Sequence, residues 1–435
     1  MRSRFRLCCA LLGVLLLVNL GVGSRVFSDE AAKRGDGEAF EKISVLMRVL
    51  HLIRKDYVSA DKIDYTRLVY TALKGMVGSL DPFSSFMTPD EYGGMMEETE
   101  GEFGGIGVVI SMREGILTIV TPIEDTPGSR AGLLAGDQIV TITGKSTKGM
   151  AMSEVTKLLK GEPGTVVEIA VRRPSTDDLR DLTIERALIP VVTVKSAKIL
   201  PETKIGYVRI TQFSEPTAER LQGELRRLAA QDPQGLVIDL RNNPGGLLVS
   251  AVDVCSFFLP PGKTVVSTEG RRPSQKQEFK TRRGGYHFPR CPVAILINGG
   301  SASAAEIVSG CLKDYGRAIL VGEKTFGKGS VQNVIELPDG SALRLTTAMY
   351  YTPSRRVIHE HGIEPDIAVK LSEKEVRALV ESQYAIPGVD EKTKAVDPQL
   401  ERAVETLQSY SRYQAARKDR FEKPVPATPG RASSE

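Results

Sequence analysis

Three textures of apolar and polar positions follow one another along this chain. After a polar linker from Ser28 to Gly37, Ile43, Leu46, Met47, Leu50 and Ile53 recur at helical spacing, and Tyr65, Leu68, Val69, Ala72, Leu73 and Met76 do so again. This predicts a helical hairpin with one adhesive face. From about Glu98 the pattern changes to short β-branched runs parted by glycine turns, over 104–112, 115–123, 137–144 and 165–173, with one helical stretch at 153–161. That is a small, mainly β domain. Beyond it strand and helix alternate. Ile205–Ile210 reads as a strand, 215–230 as a helix with Ala218, Leu221, Leu225 and Leu228 inward, and 235–241 as a strand again, which predicts an α/β core. Leu337–Gly340 is a turn between two alternating strands ending near Tyr350–Pro353. Residues 373–384 and 397–413 read as helices, with Leu400, Val404 and Leu407 apolar, and 424–435 as disordered.

The expected division is a leader over 1–27, a helical region over 38–98, the β domain over 99–187, the α/β core over 188–372, a helical region over 373–420 and a tail over 421–435. A chain of 435 residues, 41% hydrophobic, buries a sizeable core. With 58 Lys and Arg against 54 Asp and Glu, it is too nearly neutral for a nucleic-acid binder. Arg2, Arg4 and Arg6 precede the apolar run Leu7–Val18, the pattern of an export signal. Two readings stay open there, a cleaved signal near Gly21, Gly23 and Ser24 or an uncleaved membrane tether. Cys8 and Cys9 stand at the start of the apolar run, where a lipidated cysteine does not belong. Cys255, Cys291 and Cys311 fall on core elements and read as packing residues, with one disulfide among them as the alternative.

The candidate chemistry lies between Pro292 and Gln332. The apolar strand Val293–Ile297 ends in Asn298-Gly299-Gly300, and a helix opens over Ser301–Ala305. A serine there sits at a helix N-terminus, where an oxyanion forming beside Ser303 finds the N–H of Ala304 oriented toward it. The hydroxyl needs a base, and none of the 4 histidines lies in this stretch. Lys328, in Gly327-Lys328-Gly329, is the substitute, provided that burial keeps its amine neutral. Gln332, four residues on, shares a face with Lys328 in a regular strand or helix and can orient the amine without re-protonating it. Ser301 and Lys324 are the alternatives for the two roles. Asn243-Pro244-Gly245-Gly246 leaves a buried strand in a tight turn, where Gly245 and Gly246 can present a free N–H. His359 and His361 share a strand face without a third ligand, so no metal site is read, and no cofactor is needed.

Ser301-Ala302-Ser303-Ala304-Ala305-Glu306 followed by Gly327-Lys328-Gly329-Ser330-Val331-Gln332 resembles the signature of the carboxyl-terminal processing peptidases, or tail-specific proteases. The resemblance covers roughly residues 40–375. It implies a crotonase-like ββα protease core carrying an inserted PDZ domain, with helical N- and C-terminal segments. It implies a serine endopeptidase in which Ser303 is the nucleophile, Lys328 the base and Gln332 its orienter, with Gly245 or Gly246 giving a second oxyanion donor beside Ala304. It also implies homodimers through the helical termini, as against simple capping of the core. The segment Gly78–Phe86 matches a hallmark of the family and reads as structural, through an Asp81-Pro82 turn.

Phe103-Gly104-Gly105-Ile106-Gly107-Val108, with Ala131-Gly132-Leu133 and Gly136-Asp137-Gln138-Ile139, resembles a PDZ domain. Its glycine-rich N–H groups form a nest for a terminal carboxylate, the strand 107–111 pairs with the peptide, and Val155, Leu158 and Leu159 supply a pocket for an apolar last residue. Arg186, where this domain hands over to the core, is either a surface ion-pair residue or a contact coupling the two. The expectation is an exported endopeptidase of the periplasm or cell envelope that takes protein C-termini through the PDZ domain. The rivals are a catalytically silent PDZ adaptor and a crotonase-like acyl-thioester enzyme.

Overall fold

The structure, a computed structural model, describes residues 37–113, 115–289, 291–383 and 395–409. The expected leader, the ends of the two expected C-terminal helices and the tail lie outside these residues. Among the described residues no helix is long and apolar enough to cross a membrane.

The chain divides after Met76 into two units. In the first, helices α1 (Gly37–Asp56) and α2 (Tyr65–Gly78, its last residues past the division) form where the 3.6-residue spacing places them. Arg54 lies over the ring of Tyr65 at 5.8 Å. Phe40, Ile43, Leu46 and Met47 stay exposed, and Leu50, Ile53, Leu68 and Leu73 are half-buried.

The second unit opens with strand β1 (Ser85–Met87) and helix α3 (Pro89–Glu100). Thr88 and Glu91 cap α3 reciprocally, and Pro89 sits at its first position, where the missing N–H costs nothing. Strand β2 (Glu102–Gly105) then leads into the small domain. This comprises β3 (Val108–Arg113), β4 (Ile116–Pro122), α4 (Pro127–Arg130), β5 (Gln138–Ile142), β6 (Lys145–Ser146), α5 (Met152–Leu159), β7 (Val166–Arg173) and β8 (Asp178–Glu185). Strand β9 (Ala187–Pro190) pairs with β2, so the domain hangs from a two-stranded ribbon at its entry and exit. Its strands form one sheet in the order β3-β4-β5-β7-β8 around a core that includes Ile119, Ile142 and Val155.

The remainder is α/β. Strands β10 (Val194–Ile199), β11 (Ile205–Ile210), β12 (Gly235–Asp239), β15 (Val293–Ile297), β16 (Ala318–Gly322) and β19 (Ile367–Ala368) form one sheet in that order, parallel from β11 onward. One face is covered by α6 (Thr217–Ala229), α7 (Leu248–Ser256) and α8 (Ala304–Asp314), which pack in one buried cluster with Phe213, Leu225, Ile295 and Leu320. The other face takes Ala403 and Leu407 of the final helix α10 (Pro398–Gln408), which follows α9 (Glu373–Gln383). Burial on both faces explains why the central strands are apolar runs without alternation. A second sheet has the order β1-β18-β13-β14, with β13 (Thr264–Gly270), β14 (Gln277–Lys280) and β18 (Ala342–Tyr351), and with β17 (Ser330–Glu336) hairpinned onto β18. Cys255, Cys291 and Cys311 are free thiols, Cys255 and Cys311 buried in the core and Cys291 half-buried against it.

Candidate active site

Strands β12 and β15 are parallel neighbours, so the segments that leave their carboxyl ends emerge side by side. One is the turn Asn243–Gly246 leading to α7; the other is Asn298–Ser303 leading to α8. Their approach is close enough to demand glycine. A Cβ on Gly245 would stand 2.6 Å from the Ser303 Cβ, and one on Gly246 would stand 2.0 Å from the Phe213 carbonyl oxygen. Both glycines hold positive φ, at 100° and 132°.

Ser303 caps α8 with φ 53° and ψ −115°, a conformation that a residue other than glycine keeps only where its surroundings impose it. They do so here. The Ala302 N–H donates to the Asn243 carbonyl at 2.9 Å, and the Ser303 N–H donates to Glu306 Oε2 at 2.8 Å. Ser301 is fully buried, its hydroxyl donating to the Leu240 carbonyl at 2.8 Å, so it is committed to holding the turn. The Ser303 hydroxyl meets the phenol of Tyr350, which burial, then the nearby Glu306 charge, push far above the ordinary tyrosine pKa, leaving it neutral.

Glu306 is fully buried and joins the two halves of the site. Its Oε2 also accepts the Lys328 N–H at 2.9 Å, and its Oε1 accepts the Gly327 N–H at 2.8 Å and the Thr325 hydroxyl at 2.5 Å. Burial raises its pKa against the lowering effect of these donors. The Lys328 ammonium lies 5.1 Å from the Phe83 ring centroid. Its pKa is lowered, first by burial and then by the charge of Arg344, with Glu306 opposing. Arg344 donates to the Phe83 carbonyl at 3.2 Å, and Asp81 fixes Phe83 by accepting its N–H at 2.7 Å. The Gly78–Phe86 segment thus supplies one wall of the lysine pocket, and His359 stands edge-on to Phe83 at 6.4 Å. Lys324 instead lies exposed, paired with Glu364 at 3.0 Å.

Not every expected pairing forms. Among the described residues no hydrogen bond joins the Ser303 hydroxyl to the Lys328 amine, and Tyr350 donates to the Lys328 carbonyl. Gln332 makes no hydrogen bond to Lys328 among the described residues. Its amide donates to the Ser330 hydroxyl at 2.9 Å, because Lys328 precedes β17 and a register shift between Val331 and Gln332 breaks the alternation that would align residues 328 and 332. The Gly245 N–H is taken by Asn243 Oδ1 at 2.8 Å, whereas the N–H groups of Ala304 and Gly246 donate to no protein acceptor among the described residues.

In the small domain, Phe103, Gly105, Ile106, Gly107, Val108, Ile110, Thr156, Leu159 and Lys160 line a groove of about 100 Å³ between β3 and α5. Gly104 is outside this lining because it packs on the next loop, a Cβ there standing 2.0 Å from the Gly161 carbonyl oxygen. Val155 and Leu158 do not line it either. Val155 is fully buried in the domain core and Leu158 packs against that core, so Leu159 is the one expected helix residue at the groove, joined by Thr156 and Lys160. Among the described residues, the side-chain hydrogen bonds of Arg186 all stay within the small domain. Its guanidinium donates to the carbonyls of Leu158 at 2.9 Å, Leu159 at 3.2 Å and Val166 at 3.0 Å, which caps the end of α5 within the small domain.

Three contributors escaped the sequence reading. Glu306 stood in the sequence only as the last residue of the Ser301–Glu306 motif, and Tyr350 only at the end of a strand. The third is a buried network in which Arg241 binds Asp239 at 2.7 Å and Asp397 at 2.8 Å, tying α10 to the end of β12 just before the Asn243–Gly246 turn.

Residues 204–369 match peptidase family S41, and residues 118–173 match the PDZ domain. The chain is 39% identical over 349 residues to the carboxy-terminal-processing protease of Bartonella bacilliformis, covering 79% of each. It is 36% identical over 349 residues to the carboxy-terminal processing protease CtpA of Bacillus subtilis, covering 80% of this chain and 72% of that one. Among solved structures, an S41 protease from Bacteroides fragilis is alike in fold, at 19% identity and a TM-score of 0.50 over 83% of this chain and 97% of its own. The fold, the PDZ domain and these relatives together place the chain in peptidase family S41, as a serine-type peptidase among the carboxy-terminal processing proteases.

Proposed function

We propose that this protein is an exported endopeptidase that captures protein C-termini in its PDZ groove and cleaves the captured chain with a Ser303–Lys328 dyad. One observation carries the reading. A serine in strained backbone at a helix N-terminus and a lysine whose pKa is lowered by burial both donate their backbone N–H to one oxygen, Oε2, of the buried Glu306 carboxylate.

The neutral Lys328 amine takes the Ser303 proton as the hydroxyl oxygen attacks the scissile carbonyl. The free N–H groups of Ala304 and Gly246 then receive the oxyanion, and Gly245 contributes the absence of a side chain that would block the approach. Collapse of the tetrahedral intermediate returns the proton to the leaving amine, and water enters by the same route in reverse. Since the hydroxyl faces Tyr350 and the amine faces Phe83, the dyad closes by rotation of two side chains, which we assign to substrate engagement. Gln332 enters as an orienter only after its bond to Ser330 is exchanged. The N-terminal leader directs export, cleaved or retained as a tether, and the apolar residues exposed on α1 and α2 suit a second copy of the chain.

The test is incubation of wild type, Ser303→Ala and Lys328→Ala with unfolded proteins that differ only in an apolar or a charged C-terminal residue, with cuts located by mass spectrometry. Wild type is expected to cut the apolar-ended substrates and both variants to cut neither. Cleavage retained by Ser303→Ala overturns the assignment.

A further inference from the structure

The groove of the PDZ domain carries a cation already occupied from within the chain. Lys160 ends α5 and lines the groove beside Gly105 and Ile106. Its ammonium lies 4.5 Å from the Phe103 ring centroid and 2.7 Å from Glu97 Oε2, with the two side chains 35% and 37% exposed. The N–H groups of Ile106 and Gly107, which line the same groove, donate to no protein acceptor among the described residues. A fixed cation, unengaged N–H donors and an apolar cleft are what a peptide carboxylate with an apolar last side chain requires.

We propose that Lys160 is the anchor for the substrate's terminal carboxylate and that Glu97 is its resident competitor, holding the ammonium until a C-terminus displaces it. This rests on the reading of the groove as a receptor for C-termini. The exchange is one carboxylate for another at the same ammonium, so it is close to neutral in charge. A substrate ending in an amide brings no carboxylate and leaves the pair intact.

Glu97 is also placed to report the exchange. It lies in the last turn of α3, where the Thr99 carbonyl accepts the Glu215 N–H at 3.0 Å and the Glu98 carbonyl accepts the Gln212 side chain at 3.3 Å. Within that same segment, Phe213 donates to the Gly245 carbonyl at 2.8 Å and accepts from the Leu247 N–H at 2.7 Å. Release of Glu97 therefore acts on a stretch bonded directly to the turn beside Ser303.

The experiment uses the full chain with Ser303→Ala, so that nothing is cut, and a short fluorescein-labelled peptide ending in valine, as free acid and as C-terminal amide. Binding is read by anisotropy. The parent is expected to prefer the acid, and adding Lys160→Met, which keeps the stem over Phe103, to reduce the acid-to-amide preference by roughly five- to ten-fold. Adding Glu97→Gln instead is expected to tighten acid binding by roughly two- to five-fold and leave amide binding unchanged. A preference unchanged in Lys160→Met overturns the anchor, and acid binding unchanged in Glu97→Gln overturns the competitor. A parent that binds neither peptide, or both alike, overturns the reading of the groove itself and the anchor with it.

Discussion

The backbone N–H groups of Ser303 and Lys328, 25 positions apart, end on the same atom, Oε2 of Glu306, at 2.8 and 2.9 Å. One buried carboxylate thus sets the separation between the proposed nucleophile and the proposed base. Three of its four donors are fixed main-chain N–H groups, on both oxygens, so it cannot be replaced by an amide without turning an acceptor into a donor at one of them.

Glu306→Gln is therefore expected to lower kcat by about 100-fold or more and to cost about 1–3 kcal/mol of stability, since an N–H group would face another N–H in a buried site. Steady-state kinetics and thermal unfolding measure the two effects. Wild-type kcat in this variant would remove Glu306 from the site's architecture.

The lowered pKa of Lys328 has a pH signature. Activity is expected to rise with pH through an ionisation below the ordinary lysine value of 10.5, as the amine becomes neutral. Arg344→Gln removes a repelling charge and should shift this rise to higher pH, reducing kcat/KM at neutral pH with less change at the alkaline plateau. The same group affects stability. The folded pKa lies below the unfolded one, so between the two values the unfolded chain binds more protons, and Lys328's contribution grows more favourable as pH rises through that window. A pH profile identical in wild type and Arg344→Gln would refute the coupling.

Gly245→Ala would place a methyl group 2.6 Å from the Ser303 Cβ at a φ of 100°. We expect kcat/KM to fall by about 100-fold or more, with stability lowered by about 1–3 kcal/mol. Activity within a few-fold of wild type would mean that the turn beside Ser303 takes no part in catalysis.

Arg241→Met leaves the carboxylates of Asp239 and Asp397 facing one another without a cation in a buried setting. The expected loss is about 3–5 kcal/mol, read as a lowered Tm, together with reduced kcat because β12 carries the turn beside Ser303. A variant carrying Asp397→Asn alone should lose less, since Asp239 keeps its own bonds to Arg241.

Arg186→Ala removes donors from the α5 carbonyls next to Lys160. Weaker binding of peptides to the PDZ groove is expected, with unchanged cleavage of a peptide too short to reach that groove. Equal losses on both substrates would restore the direct inter-domain role.

The sequence by itself determined the elements and offered the candidate reactive residues. Period 3.6 over residues 43–53, β-branched runs parted by glycines over 104–173, and unbroken apolar strands such as Val293–Ile297 are local patterns, and local patterns report which faces must be buried. The Ser303 and Lys328 motifs were equally legible, because a helix start and a glycine-flanked lysine are written in adjacent residues.

Only the tertiary structure decided what those residues touch. Alternation put Gln332 on the face of Lys328, but a register shift in the hairpin turned its amide to Ser330. The PDZ resemblance made Val155 and Leu158 groove residues, but an eight-residue helix packed on a sheet gives most of its apolar side to the core, leaving Thr156, Leu159 and Lys160 at the groove. Glu306, Tyr350, Arg241 and the Glu97–Lys160 pair derive their roles from partners far away in the chain. Such partnerships are set by which strand ends lie side by side, and no periodicity along one segment encodes that.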